Sequence, residues 1–133
     1  MDADNRKSAV LIVEDEVSLR TALHDKFTRE GFTVHEARDG EEGLATALAE
    51  RPQLILLDMM MPKMDGLTML TLLRSTNDWG AKVPVLILTN FGVDDKLLMK
   101  QIQTDLATSY LVKSNWSIDQ VITKVQETIA RTA

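Results

Sequence analysis

Five short apolar runs recur along the chain, each followed by a stretch whose apolar residues fall three and four apart, the pattern of strands alternating with helices. Ala9–Val13, Leu54–Leu57 and Val85–Leu88 are continuously aliphatic. A strand that is apolar on both sides needs cover on both sides, so these three predict the middle of a parallel sheet packed between helices. Thr33–Ala37 and Ser109–Val112 mix polar and apolar positions and predict its edges.

The intervening segments carry helix start and stop signals. Ser117 followed by Gln120 forms a capping box ahead of Ile118, Val121, Ile122, Val125 and Ile129, which share one helical face. Leu19, Ala22, Leu23 and Phe27 make the stripe of the first helix, which stops at Gly31. Asp39 with Glu42 caps the second, and Pro52 closes it. The third starts near Asp65, buries Leu67, Leu70 and Leu73, and ends before Asn77-Asp78-Trp79-Gly80. A fourth is expected from Asp94, with Leu97, Leu98 and Ile102 to bury and no glycine stop near Asp105-Leu106. Five strands and five helices, with the second and fifth strands outermost, fit a flavodoxin-like (βα)5 doubly wound sandwich with strand order 2-1-3-4-5.

Composition narrows the classes. A chain of 133 residues predicts one domain, 1–133, behind a polar leader over 1–8. With 44% hydrophobic and 26% charged residues it can bury a core, and the composition argues against a disordered or fibrous chain. The absence of cysteine removes disulfide frameworks, thiolate metal sites and thiol nucleophiles. A net charge of −5 argues against a nucleic-acid surface, which needs clustered Lys and Arg. Runs such as Leu54-Ile55-Leu56-Leu57 are too short to span a membrane, and the polar start is no signal peptide, so no membrane partner and a cytoplasmic location are expected.

In an open parallel sheet, ligands bind beyond the carboxyl ends of the strands, where strand order reverses. Those ends hold Glu14-Asp15-Glu16 after the first strand, Asp58 after the third, Thr89 after the fourth and Lys113 after the fifth. Acidic groups thus converge on one crevice, faced by a hydroxyl and an ammonium. Two carboxylates about 4 Å apart repel by roughly 4 kcal/mol at an effective dielectric near 20, so the cluster calls for a cation. Oxygen ligands select a hard ion, and Mg2+ fits best because it takes few carboxylates and recruits phosphate oxygens.

These residues carry a family resemblance. From about Ala9 to Thr128 the chain resembles the receiver domain of two-component response regulators, and Asp58-Met59-Met60-Met61-Pro62-Lys63-Met64-Asp65-Gly66 is similar to that family's stretch around its phosphorylated aspartate. The resemblance implies that Asp58 accepts a phosphoryl group from a phosphohistidine of a sensor histidine kinase or a histidine phosphotransfer protein. It implies that Asp15 holds Mg2+ directly, Glu14 through water, and the Met60 backbone carbonyl completes the protein's share. Lys113 and Thr89 would contact phosphate oxygens. Tyr110 would swing inward behind a displaced Thr89, coupling the site to a downstream protein through the surface of the fourth helix, fifth strand and fifth helix.

Three positions depart from the family pattern: Ser114 after Lys113 where proline is usual, Asn90 after Thr89 where a smaller residue is preferred, and Leu106 where a glycine often ends the fourth helix. A trans Lys113–Ser114 bond is expected, because cis costs about 2.5 to 4 kcal/mol without proline. Slow phosphoryl hydrolysis is also expected, since Asn90 and Met60 crowd the path of an attacking water. The methionines around the tight loop read as adaptable packing, and His24 and His35 as isolated, exposed positions. The competing readings are a degenerate receiver that binds a partner constitutively, a phosphoester enzyme and a flavin module. The enzyme lacks a second acid where Met60 stands, and Glu14-Asp15-Glu16 would repel a flavin phosphate.

Overall fold

The computed structural model describes residues 8–89, 100, 107–112 and 116–132. In chain order it holds β1 (Ala9–Val13), α1 (Val17–Arg29), β2 (Thr33–Ala37), α2 (Gly40–Glu50), β3 (Leu54–Asp58), α3 (Gly66–Thr76), α4 (Asp78–Lys82), β4 (Val85–Thr89), β5 (Thr108–Val112) and α5 (Ile118–Thr132). The strands form one five-stranded sheet in the order β2-β1-β3-β4-β5, and every neighbouring pair is parallel. This is the doubly wound order expected from the aliphatic central runs and mixed edges.

Strand alternation divides the core in two. Leu11, Val13, Ile55, Leu57, Val85 and Ile87 pack against Ala47 of α2 and Met69, Leu70 and Leu73 of α3. Their chain neighbours Val10, Ile12, Leu54, Leu56, Leu86 and Leu88 face the other way, against Leu23 and Phe27 of α1 and Val121, Ile122 and Val125 of α5. Each central strand therefore buries both sides, which is why its sequence shows no polar alternation.

The local signals act as expected. Asp39 and Asp65 each accept from an N–H three residues on, at 2.8 Å. Ser117 and Gln120 exchange reciprocal hydrogen bonds ahead of α5. Gly31 takes a left-handed φ of 96° just past α1, a conformation open to glycine without a Cβ clash.

One helix was not anticipated. Asn77-Asp78-Trp79-Gly80, read as a plain end to α3, instead starts α4: the Asn77 side chain accepts from the Gly80 N–H at 2.7 Å. Tertiary bonds hold this turn. The Arg74 guanidinium donates to the carbonyls of Gly80 and Val83 at 2.9 and 2.6 Å, and to the Thr108 hydroxyl at 2.9 Å. Of the fourth helix expected from Asp94, only Lys100 belongs to the described residues, and it is helical. None of the described helices is long and apolar enough to cross a membrane.

Candidate functional site

Strand register builds the site. Val13 pairs with Leu57 across the β1–β3 ladder, so the residues that follow, Glu14 and Asp58, leave adjacent strand ends side by side. Asp58 in turn pairs with Leu88, which places Thr89 one step further along β4. Carboxylate oxygens of Glu14, Asp15 and Asp58 all lie within 4.8 Å of one another. Glu14 and Asp58 are only 2% and 4% exposed, whereas Asp15 reaches solvent. Two unit charges at about that spacing repel by roughly 3.5 kcal/mol at an effective dielectric near 20, and burial weakens the water screening that would relieve them. A group of oxygen donors with two buried members and one open to solvent suits a hard divalent cation that keeps part of its water shell.

The β1–α1 turn is fastened from outside. The Glu14 N–H donates to the Ala37 carbonyl at 3.0 Å, and Glu14 Oε2 accepts from the Glu16 N–H at 3.2 Å. Arg20 Nη1 donates to the Glu14 carbonyl at 2.9 Å, while its Nε lies 3.4 Å from Glu36 Oε1. The other oxygen of Glu36 is 3.3 Å from His24 Nδ1. His24 is thus no isolated exposed residue but half-buried beside a carboxylate, and His35 similarly lies 3.9 Å from Glu50. Sequence reading missed Arg20. A signal was present: a cation in the first turns of a helix opposes the helix dipole, so it points to a partner elsewhere.

The β3–α3 loop that follows Asp58 folds back on itself. The Gly66 N–H donates to the Met59 carbonyl at 3.1 Å, and a Cβ at Gly66 would overlap the Asp58 carbonyl oxygen. Only glycine fits there. Met59 and Met69 are buried, and Met61 and Met64 pack on the core, as adaptable methionines should. Met60 corrects that reading, for the residue is 58% exposed.

Of the remaining candidates, Thr89 is fully buried at the end of β4, and Tyr110 is half-buried on β5, packed against the α2–α3 side of the core. Asn90, Leu106, Lys113 and Ser114 lie outside the described residues, and with them the expectations of a trans Lys113–Ser114 bond and of an ammonium facing the crevice.

A parallel 2-1-3-4-5 sheet with this acidic group at its switch point defines a receiver domain, and comparison with known proteins agrees. The family profile of the response regulator receiver domain matches residues 10–126, and the chain belongs to that family, a class of signalling domain. It is 39% identical over 111 residues to the probable transcriptional regulator ycf27 of Pyropia yezoensis, an alignment covering 83% of this chain and 43% of the relative. The chain spans about half the length, or somewhat less, of the curated relatives it matches. Among solved structures, the receiver domain of Francisella response regulator 1452 superposes with a TM-score of 0.79 at 30% identity, covering 96% of this chain and all of the other. Vibrio cholerae chemotaxis protein CheY4 superposes with a TM-score of 0.79 at 28% identity, covering 91% of this chain and 98% of the other.

Proposed function

We propose that the chain works as a single receiver domain, a phospho-acceptor switch in which Asp58 takes a phosphoryl group from a phosphohistidine in a Mg2+-dependent reaction. The observation that carries this reading is the meeting of Glu14, Asp15 and Asp58 within 4.8 Å at adjacent strand ends of a receiver fold. A carboxylate oxygen of Asp58 attacks phosphorus in line, the phosphorus–nitrogen bond breaks, and the leaving imidazole of the donor takes up a proton. The product is an acyl phosphate. Mg2+, when bound, would be held by Asp15, Asp58 and the Met60 carbonyl, with Glu14 acting through water, and would neutralise charge on the transferring oxygens.

Other residues position and report. Thr89 supplies a hydroxyl to one phosphate oxygen and Lys113 an ammonium to another. Tyr110 relays the change to the surface of the predicted fourth helix, β5 and α5, where a downstream protein reads it. The donor is a sensor histidine kinase or a histidine phosphotransfer protein, encountered in the cytoplasm, and neither nucleic acid nor membrane is contacted directly.

Intact mass after incubation with a small acyl phosphate tests the reading. Wild type should gain one phosphoryl group only with Mg2+ present, and Asp58→Ala should gain none. A wild-type chain that gains none under either condition supports the constitutive binding module in its place.

A further inference from the structure

The β3–α3 loop is also gripped from the start of α2. The Gly40 N–H, first of α2, donates to the Met64 carbonyl at 3.1 Å. A Cβ at Gly40 would overlap that same carbonyl oxygen, so the close approach requires glycine. Beside it, Asp39 does two things at once. One carboxylate oxygen caps α2 through the Glu42 N–H at 2.8 Å, and the other lies 3.8 Å from the Lys63 ammonium. Asp39 is 8% exposed, so the carboxylate is held rather than solvated.

Lys63 itself is strained. Its φ of 65° lies in the left-handed region, where glycine is the default, and the Met64 N–H turns back to the Pro62 carbonyl at 2.7 Å. The Lys63–Asp39 pair lies at this strained bend, with the lysine side chain 68% exposed and the carboxylate nearly buried. The loop is therefore fastened at its base by Met59 and Gly66, on its inner side by Met61 and Met64 in the core, and at its bend by α2. Met60 lies between these anchors.

We propose that Gly40, Asp39 and Lys63 are positioning residues that set the place of the Met60 carbonyl, and through it the affinity of the site for a divalent cation. This rests on the cation reading above. Residues that orient metal ligands from behind commonly change affinity by about ten- to a hundredfold when altered, and an exposed ion pair by a few-fold at most. Gly40→Ala should thus weaken cation binding about tenfold, and Lys63→Gly or Asp39→Asn about threefold each. Because asparagine still caps a helix, Asp39→Asn removes the pair and keeps the cap. The double variant should bind no more weakly than either single one, since both remove one interaction.

The test is a Mg2+ titration followed by amide chemical shifts, run beside urea unfolding of each variant. Lys63→Gly relieves the left-handed strain, so stability should hold or rise while Mg2+ affinity falls, a split that a purely structural role would not give. Unchanged affinity in Lys63→Gly and Asp39→Asn, with binding abolished in Asp58→Ala, would overturn the clamp and leave the cation site standing. Should wild type itself show no saturable shifts, the cation reading fails, and the clamp with it. Gly40→Ala is informative only where its unfolding curve matches a folded chain, and the two milder variants decide the matter without it.

Discussion

Thr89 and Tyr110 lie on one face of the sheet, two register positions apart: Tyr110 pairs with Ile87, and Thr89, two residues beyond Ile87, pairs with Val112. Side chains two apart on a strand share a face, so the hydroxyl at the end of β4 and the half-buried ring on β5 are diagonal neighbours. On the proposed switch reading, a displacement of Thr89 toward a phosphoryl group would open space beside this ring. Phosphate can shift the ring only by interacting differently with its two positions. With a beryllium fluoride mimic bound, amide shifts of Thr108–Val112 and Tyr110 ring resonances should move in wild type and stay still in Thr89→Ala. Changes confined to the Asp58 loop would leave the domain a binding module without a switch.

On the proposed reading, the exposed Met60 would lengthen the lifetime of a phosphoryl group on Asp58. It stands two residues after Asp58, and water must approach the acyl phosphate in line with the departing carboxylate. Met60→Ala should speed decay several-fold, and Met60→Ala with Asn90→Ala more so. Timed intact mass spectra read this directly, and equal lifetimes would refute the crowding.

Arg20 ties the β1–α1 turn to β2. Arg20→Met keeps the aliphatic stem but removes the donor to the Glu14 carbonyl and one of the two partners of Glu36 described above. The arginine side chain is only 14% exposed, so the loss should exceed that of a surface pair. A drop in unfolding free energy of roughly 1–3 kcal/mol in urea is expected, the range for a hydrogen bond from a charged donor.

Arg74 plays the same part at the opposite end of the sheet. The three bonds described above join α3, α4, Val83 two residues before β4 and the first residue of β5. Arg74→Met should cost about 2–4 kcal/mol, because several partly buried acceptors lose one charged donor. Its phosphoryl uptake should match wild type, since these contacts lie at the amino ends of β4 and β5, away from Asp58.

What could be read from the chain and what could not follows the range of the forces involved. Asp65 and Ser117 announce α3 and α5 because a cap acts within three residues, and Leu54–Leu57 announces a central strand because its burial is written in its own side chains. Asp58, Asp15 and Glu14 were legible because a doubly wound sheet brings its strand ends together wherever they fall in the sequence. Asn77-Asp78-Trp79-Gly80 misled because such residues favour a turn, and the helix they form depends on Arg74 reaching across to it. Arg20–Glu14, His24–Glu36 and Lys63–Asp39 are contacts between elements, with no local pattern to betray them.

The central claim is that Asp58 is the group phosphorylated. Borohydride reduces an acyl phosphate to an alcohol, turning a phosphorylated aspartate into homoserine and leaving free carboxylates untouched. After incubation with Mg2+ and a small acyl phosphate, then reduction and proteolysis, peptide sequencing by mass spectrometry should find homoserine at position 58 and at no other aspartate. Homoserine at position 15, or at no aspartate despite a phosphoryl mass gain on the intact chain, would contradict the assignment.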